Sequence, residues 1–222
     1  VSFESSVAYP YYKAGYVTSF ITGGKLGWRN LQDFIPRQYY NNIEGQASII
    51  HHNKNAETNT WGVYDEYVLE HIMRKLKNAT KPQSIFALTT SNHSPYDLPS
   101  DFRLPMLALP DEVKNSIVSS ESNALNHFST YYYTNNSVGE FISQITGSEL
   151  GKKTLISFTG DHNARGLFNY NDEMLLNKYA VPFYIYAPKR YRQKQVFDPS
   201  RFGSHKDIFP TLFHLSLSEK RY

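Results

Sequence analysis

The sequence predicts an α/β fold in which a mainly parallel sheet is covered by helices on both faces. Two patterns carry that expectation. Short apolar, β-rich runs recur at 16–21 (YVTSFI), 84–88 (SIFAL), 154–158 (TLISF) and 181–186 (VPFYIY), each of strand length and each followed by turn-forming residues. Longer stretches of helical periodicity lie between them, and strand–helix–strand alternation is how parallel neighbours are connected. Composition agrees: of 222 residues, 40% are hydrophobic and 19% charged, the make-up of a globular domain and not of a disordered chain.

The helical stretches differ in character. Residues 65–76 place Tyr67, Val68, His71, Ile72 and Leu76 near one face. Residues 122–145 carry a long, Tyr-rich amphipathic pattern in which Asn135 and Asn136 suggest a break. In 207–215 the internal Pro210 suggests that regular helix starts there, with Ser204 or Asp207 as a cap. No repeat, low-complexity tract or Gly/Ser linker divides the chain, so residues 1–222 read as a single domain.

Several function classes are excluded. With no cysteine, these residues offer no disulfide, thiolate metal site or cysteine nucleophile. Twenty-three basic and 20 acidic residues are too evenly mixed for a nucleic-acid surface, and support at most a weak preference for anionic partners. No run approaches the roughly 18 to 20 apolar residues of a membrane helix, and the opening VSFESSVAYPYY lacks the regions of a signal peptide. The chain is therefore expected to be soluble, yet able to be a piece of something longer. Its 18 Tyr, 14 Phe and 2 Trp suit polar clefts as well as an ordinary core.

In parallel α/β sheets ligands bind beyond the carboxyl ends of the strands, so the strand exits are where binding and catalytic residues are expected. After 16–21 comes Thr22-Gly23-Gly24-Lys25-Leu26-Gly27-Trp28-Arg29-Asn30, where the glycines allow close backbone approach and Trp28 with Arg29 offers a stacking surface and a planar cation for an anionic or sugar-like group. A tight turn with Trp28 packed inward is the plain alternative. After 84–88 comes Thr89-Thr90-Ser91-Asn92-His93-Ser94-Pro95-Tyr96, in which His93 could move a proton, contact a phosphoryl oxygen or ligate a metal, or simply belong to a polar turn. After 154–158 comes Thr159-Gly160-Asp161-His162-Asn163, a carboxylate beside an imidazole: half a site for Mn²⁺, Mg²⁺ or Zn²⁺. The fourth exit, Ala187-Pro188-Lys189-Arg190-Tyr191-Arg192, reads as a solvated loop, His51-His52 as a surface loop, and His71, His127 and His214 as structural, while His205 could point into a site.

Five segments in order, Gly23-Gly24-Lys25-Leu26-Gly27-Trp28-Arg29-Asn30, Trp61-Gly62-Val63-Tyr64-Asp65-Glu66, Ser91-Asn92-His93-Ser94-Pro95-Tyr96, Phe158-Thr159-Gly160-Asp161-His162 and Asp207-Ile208-Phe209-Pro210-Thr211-Leu212, resemble the sulfatase-like phosphoglycerol transferases of the alkaline phosphatase superfamily, a group that includes lipoteichoic acid synthase. The resemblance implies a metal-dependent, extracytoplasmic catalytic domain of a cell-membrane protein, attached through an N-terminal membrane region. Such an enzyme passes a lipid head group to a glycan or polymer hydroxyl by way of a phospho-threonine. It further implies that Asp161 and His162 ligate the metal, with Mn²⁺ as first choice and Mg²⁺ or Zn²⁺ as alternatives. His93 takes the place of the head-group histidine needed for turnover, and Trp28 and Arg29 that of the contacts to the phosphoglycerol group.

The family's nucleophilic threonine and its acidic metal ligand precede the Gly-Gly-Lys region, and neither Glu4 nor Thr22 stands in the right context for them. The chain is therefore expected to be the C-terminal portion of a catalytic domain, incomplete at its N-terminal side and inactive alone. Two related activities compete, a phosphoethanolamine transferase and a sulfatase or phosphodiesterase-type hydrolase. Asn163-Ala164-Arg165-Gly166, after the Asp-His pair, disfavours the first because a fixed cation would repel a second metal. A non-catalytic module that binds anionic glycans is the alternative of another class.

Overall fold

The computed structural model describes residues 2–192, 198 and 200–217. Five strands, β1 (Val17–Thr22), β2 (Asn42–Glu44), β3 (Gln83–Leu88), β4 (Ile156–Thr159) and β5 (Phe183–Tyr186), are accompanied by helices α1 (Tyr9–Lys13), α2 (Leu31–Phe34), α3 (Gln46–His52), α4 (Asp65–Lys77), α5 (Asp111–Ser116), α6 (Glu121–Thr146), α7 (Leu175–Tyr179) and α8 (His205–Leu217). β1 lies at the centre of a three-stranded sheet, parallel to β2 on one side and to β3 on the other.

The four expected strands are present and the parallel expectation holds for this sheet. It does not extend to β4 and β5, which pair antiparallel to each other. Only short elements, of which α7 is a five-residue helix, separate them, so the chain returns alongside β4 without a long crossover helix. β2 is an additional three-residue strand: Asn42-Ile43-Glu44 has no strand-like run of its own and is strand through its register with Ser19, Phe20 and Ile21.

Alternation along β1 explains why helices cover both faces. Ile21 is fully buried against Val68, Leu69, Ile72 and Met73 of α4 and Phe141 and Ile145 of α6, in a core that also takes in Ile156 of β4 and Ile85 of β3. Its neighbour Phe20 faces the other way and stacks on Phe86 of β3 with centroids 5.9 Å apart. Phe86 in turn stacks on Phe209 of α8 at 6.2 Å. Both sheets thus share one core beneath α4 and α6, while α8 covers the opposite side.

Local signals account for the helices, with three corrections. α6 runs unbroken through Asn135 and Asn136: their side chains turn outward, to Tyr131 O at 2.7 Å and Glu140 Oε1 at 2.8 Å, while Ala124, Tyr133, Ser137, Phe141 and Ile145 keep an inward stripe. α8 begins five residues before Pro210, because Asp207 Oδ2 accepts from Ser204 N at 2.6 Å and Ser204 Oγ from Lys206 N at 3.2 Å. That reciprocal cap starts the helix, and the proline then removes a single N–H from its second turn. His51 and His52 close α3 instead of lying in a loop, although both are exposed.

α4 is tied to the sheet edge through Glu44. His71 Nε2–H donates to Glu44 Oε2 at 2.6 Å, Lys75 Nζ reaches Oε1, and His71 Nδ1 accepts from Arg74. The His71 hydrogen bond, helped by Lys75 against the opposing effect of burial, holds the Glu44 carboxyl down at about 2 from 4.5. A carboxyl depressed on folding contributes stability that is fully present above its unfolded value and is lost as pH falls through its folded value. Urea denaturation should therefore show stability decreasing from pH 4.5 towards 2, and Glu44→Gln should reduce the slope in that window; equal slopes in the two proteins would exclude Glu44 as its source.

Candidate functional site at the strand exits

Parallel pairing of β1 with β3, from Val17 opposite Gln83 to Thr22 opposite Leu88, delivers both exits to the same rim. A third segment, 59–64, is pressed against them. Val63 N donates to Gly23 O at 3.0 Å, and Gly62, at φ +149°, lies so close that a Cβ there would stand 2.0 Å from Gly23 O. Asn59 Oδ1 accepts from Trp61 N at 2.8 Å and Gly62 N at 3.2 Å, which shapes this segment and aims Trp61 at the β3 exit.

His93 is exposed on that exit and lies against Trp61, with ring centroids 3.8 Å apart and planes tilted by 47°. Trp61 Nε1 donates to Ser94 O at 2.6 Å, and His93 Nδ1–H donates to the same carbonyl at 3.1 Å. With Nδ1 so engaged, the neutral ring presents Nε2 to the rim as an acceptor. Behind it, Asp65 is wholly buried at the start of α4: Oδ1 accepts from Thr90 N and Ser91 N, and Oδ2 from Thr134 Oγ1. Burial pushes the Asp65 carboxyl up, against these hydrogen bonds, which favour its ionised form. Neither Trp61 nor Asp65 was assigned a role from sequence. Both stood inside a quoted motif, but their partners are about thirty residues away in the β3 exit.

Trp28 and Arg29 sit further along the β1 exit. Trp28 is 48% exposed, so the inward-packed alternative is set aside, and the Arg29 guanidinium lies 4.9 Å over its ring. Arg29 and Asn30 both take left-handed backbone, φ 47° and 57°, the turn that carries the pair outward. Among the described residues no hydrogen bond or ring contact joins Trp28 or Arg29 to His93.

The β4 exit reaches the same rim by way of α8. His205 Nε2–H donates to Gly160 O at 2.8 Å, Phe209 meets Phe86 near the end of β3, and Phe213 meets Tyr11, whose ring packs on Tyr16 just before β1. α8 therefore runs from the exit end back to the entrance of β1, and Gly160 marks the exit end of β4. Beyond it, Asp161 and His162 are exposed, with Oδ2 and Nε2 3.6 Å apart. His162 Nδ1–H donates to Asn163 O at 2.8 Å, leaving Nε2 with the lone pair that metal ligation requires. Asn163 holds the loop through Asn177 O at 2.8 Å and Tyr170 Oη at 3.1 Å. The donor types suit a divalent cation, but among the described residues no three His, Cys, Asp or Glu side chains gather closely enough to hold one. Asp161 and His162 supply part of a coordination shell.

The strand exits thus carry an arginine, two imidazoles and a carboxylate: Arg29 after β1, His93 after β3, and Asp161 with His162 after β4. The sulfatase family model matches residues 2–216, and the chain belongs to that family. It shares its fold with a protein in the alkaline phosphatase superfamily from Vibrio parahaemolyticus, which superposes with TM-score 0.69 at 24% identity over 94% of this chain and 46% of its own. The chain is similar to the lipoteichoic acid synthase-like protein YvgJ of Bacillus subtilis strain 168, with 28% identity over 169 residues, 70% of this chain and 26% of that protein. Lipoteichoic acid synthase LtaP from Listeria monocytogenes superposes with TM-score 0.74 at 19% identity over 95% of this chain and 52% of its own. The phosphoglycerol transferase GacH of Streptococcus pyogenes, solved with sn-glycerol-1-phosphate, does so with TM-score 0.53 at 16% identity over 77% and 43%. The chain thus spans about a quarter of YvgJ and about half of LtaP. At these identities the three structural matches establish the fold.

The loop contacts have a direct consequence. Gly62→Ala must displace the Gly23 carbonyl and should cost about 2 kcal/mol or more in urea unfolding. Gly27→Ala, with nothing within 4 Å of the added methyl, should be near neutral. Equal stabilities for the two variants would show that segment 59–64 is not wedged against the β1 exit.

Proposed function

We propose that this chain is part of a metal-dependent transferase that moves a phosphoglycerol-type head group from a lipid donor to a hydroxyl of a glycan or polymer acceptor. The observation that best supports the reading is the placement of the exits: β1 and β3 end side by side, before Trp28-Arg29 and His93, and α8 links β3, through Phe209, to Gly160 at the end of β4, just before Asp161-His162. Family membership, the similarity to YvgJ and the shared fold with LtaP and GacH support the reaction class.

In this reading each group has a task that its chemistry suits. Arg29, held over Trp28, pairs its planar guanidinium with the phosphate oxygens. His93 meets the head group through Nε2, as acceptor of a hydroxyl proton or, once protonated, as donor to the leaving oxygen. Asp161 and His162 hold, in part, a divalent cation, Mn²⁺ before Mg²⁺ or Zn²⁺, whose chemistry is to polarise phosphoryl oxygens and ease ionisation of a hydroxyl nucleophile. The phospho-threonine is assigned to a residue outside this chain, and the burial of Thr22, whose Oγ1 accepts from Gly24 N at 3.2 Å, is consistent with its having no such role.

The chain is then one portion of a single larger catalytic domain, acting on the extracytoplasmic side of a cell membrane. Unpaired sheet edges support this. Among the described residues β3 pairs only with β1 and β4 only with β5, while Phe86, Phe183 and Ile185 are 39%, 43% and 40% exposed. No described helix is long and apolar enough to cross a membrane, so attachment would lie elsewhere. The non-catalytic reading, an anionic-glycan-binding module, is favoured by one observation, the lack of a three-donor cluster among the described residues.

The two readings separate experimentally. In the intact domain Mn²⁺ should raise Tm, and Asp161→Asn or His162→Ala should abolish the shift together with transfer from a glycerophosphate lipid. His93→Ala should retain the shift but lose about 100-fold or more in turnover. Glycan binding without any cation response would establish the module instead. Hydrolysis of a glycerophosphate ester by residues 1–222 alone would overturn the assignment of the nucleophile to another segment.

A further inference from the structure

We propose that Asp65 is the positioning residue for His93, its carboxylate gripping the backbone of the β3 exit so that the imidazole is held against Trp61. The proposal rests on the reading of His93 as the head-group histidine and adds a residue to that site.

The contacts form a clamp closed at both ends. At the near end Asp65 Oδ1 accepts from Thr90 N at 2.9 Å and Ser91 N at 3.0 Å, while Asp65 N donates back to Ser91 Oγ at 2.9 Å. Ser91 is fully buried, and its carbonyl accepts from His93 N at 2.9 Å, so two hydrogen-bonded steps connect the carboxylate with the histidine backbone. At the far end Trp61, four residues before Asp65, donates to Ser94 O and lies against the imidazole. One short segment, 61–65, therefore holds the β3 exit on both sides of His93.

An acid in the first turn of a helix needs no more explanation than the helix dipole. Asp65 differs because its oxygens are engaged by a different segment and by Thr134 of α6, and because it is 0% exposed. Removing the side chain leaves the N–H groups of Thr90 and Ser91 without their acceptor in the interior, and the loop must move to hydrate them. An amide can replace the carboxylate here: one oxygen accepts from both N–H groups, and the NH2 donates to Thr134 Oγ1. A glutamate cannot, since its extra methylene drives the acceptor into the loop.

The test reads the His93 ring directly. With the two ring centroids 3.8 Å apart, the carbon-bound imidazole protons feel the ring current of the indole. In ¹H–¹³C spectra of residues 1–222, with the His93 signals assigned by loss in His93→Gln, Asp65→Ala should move them to free-histidine positions together with the Trp61 Nε1–H signal. Asp65→Asn should leave both in place, and Asp65→Glu should displace them. In the intact transferase Asp65→Ala should lower kcat about 100-fold, the scale of an ångström-sized misplacement, with recovery in Asp65→Asn. His93 signals unmoved by Asp65→Ala, or by Asp65→Glu where the alanine variant does not fold, overturn the positioning role. Full turnover by His93→Ala overturns instead the reading of His93, whatever the spectra show.

Discussion

Parallel pairing of β1 with β3 is the constraint on which the site depends. Because the two strands run the same way in a fixed register, their exits cannot avoid each other, and the loops must be accommodated within a few ångströms. Gly23 and Gly62 are the means: at their closest approach any side chain would strike a backbone carbonyl. With the two exits brought together, Trp61 can reach Ser94 and His93, and Asp65 can reach Thr90 and Ser91.

The rim is not uniformly rigid, and the contrast has a chemical sense. The His93 loop is fastened by buried polar groups, Asp65 and Ser91, and by Thr130 of α6, which donates to Asn92 Oδ1 at 3.1 Å. Buried hydrogen bonds of this kind are strong because their loss would strand groups away from water. The Asp161-His162 loop is fastened by Asn163 and by His205 at its base, with its two candidate ligands standing exposed. In the proposed reading, the group that meets the head group, His93, sits on the firm loop. The candidate cation ligands sit on the open one, where further ligands have room to join them.

The same arrangement explains why two sheets coexist on one core. α4 and α6 lay an apolar surface over Ile21, Ile85 and Ile156, so residues of β1, β3 and β4 share one core although, among the described residues, β4 pairs only with β5. α8 bridges the other side, from Gly160 to Phe86 and on to Tyr11. Helix packing, and not strand pairing, sets how the β4 exit stands relative to the other two.

Local chemistry was readable from residue order: four β-rich runs, the apolar stripe of α4, the Ser204–Asp207 cap, and the strand exits where Trp28, Arg29, His93, Asp161 and His162 occur. Those features depend on neighbours a few positions apart, so periodicity and turn chemistry report them. The misreadings came where distant contacts outweigh local preference. Asn135 and Asn136 do not break α6 because its inward stripe is packed along the whole length, and Asn42-Ile43-Glu44 is a strand through β1 alone. The partners of Trp61, Asp65 and His205 belong to the same category, for each lies 25 to 69 residues away. Which polar groups meet at the rim follows from strand register and helix packing, long-range interactions that leave no mark in the spacing of a single segment.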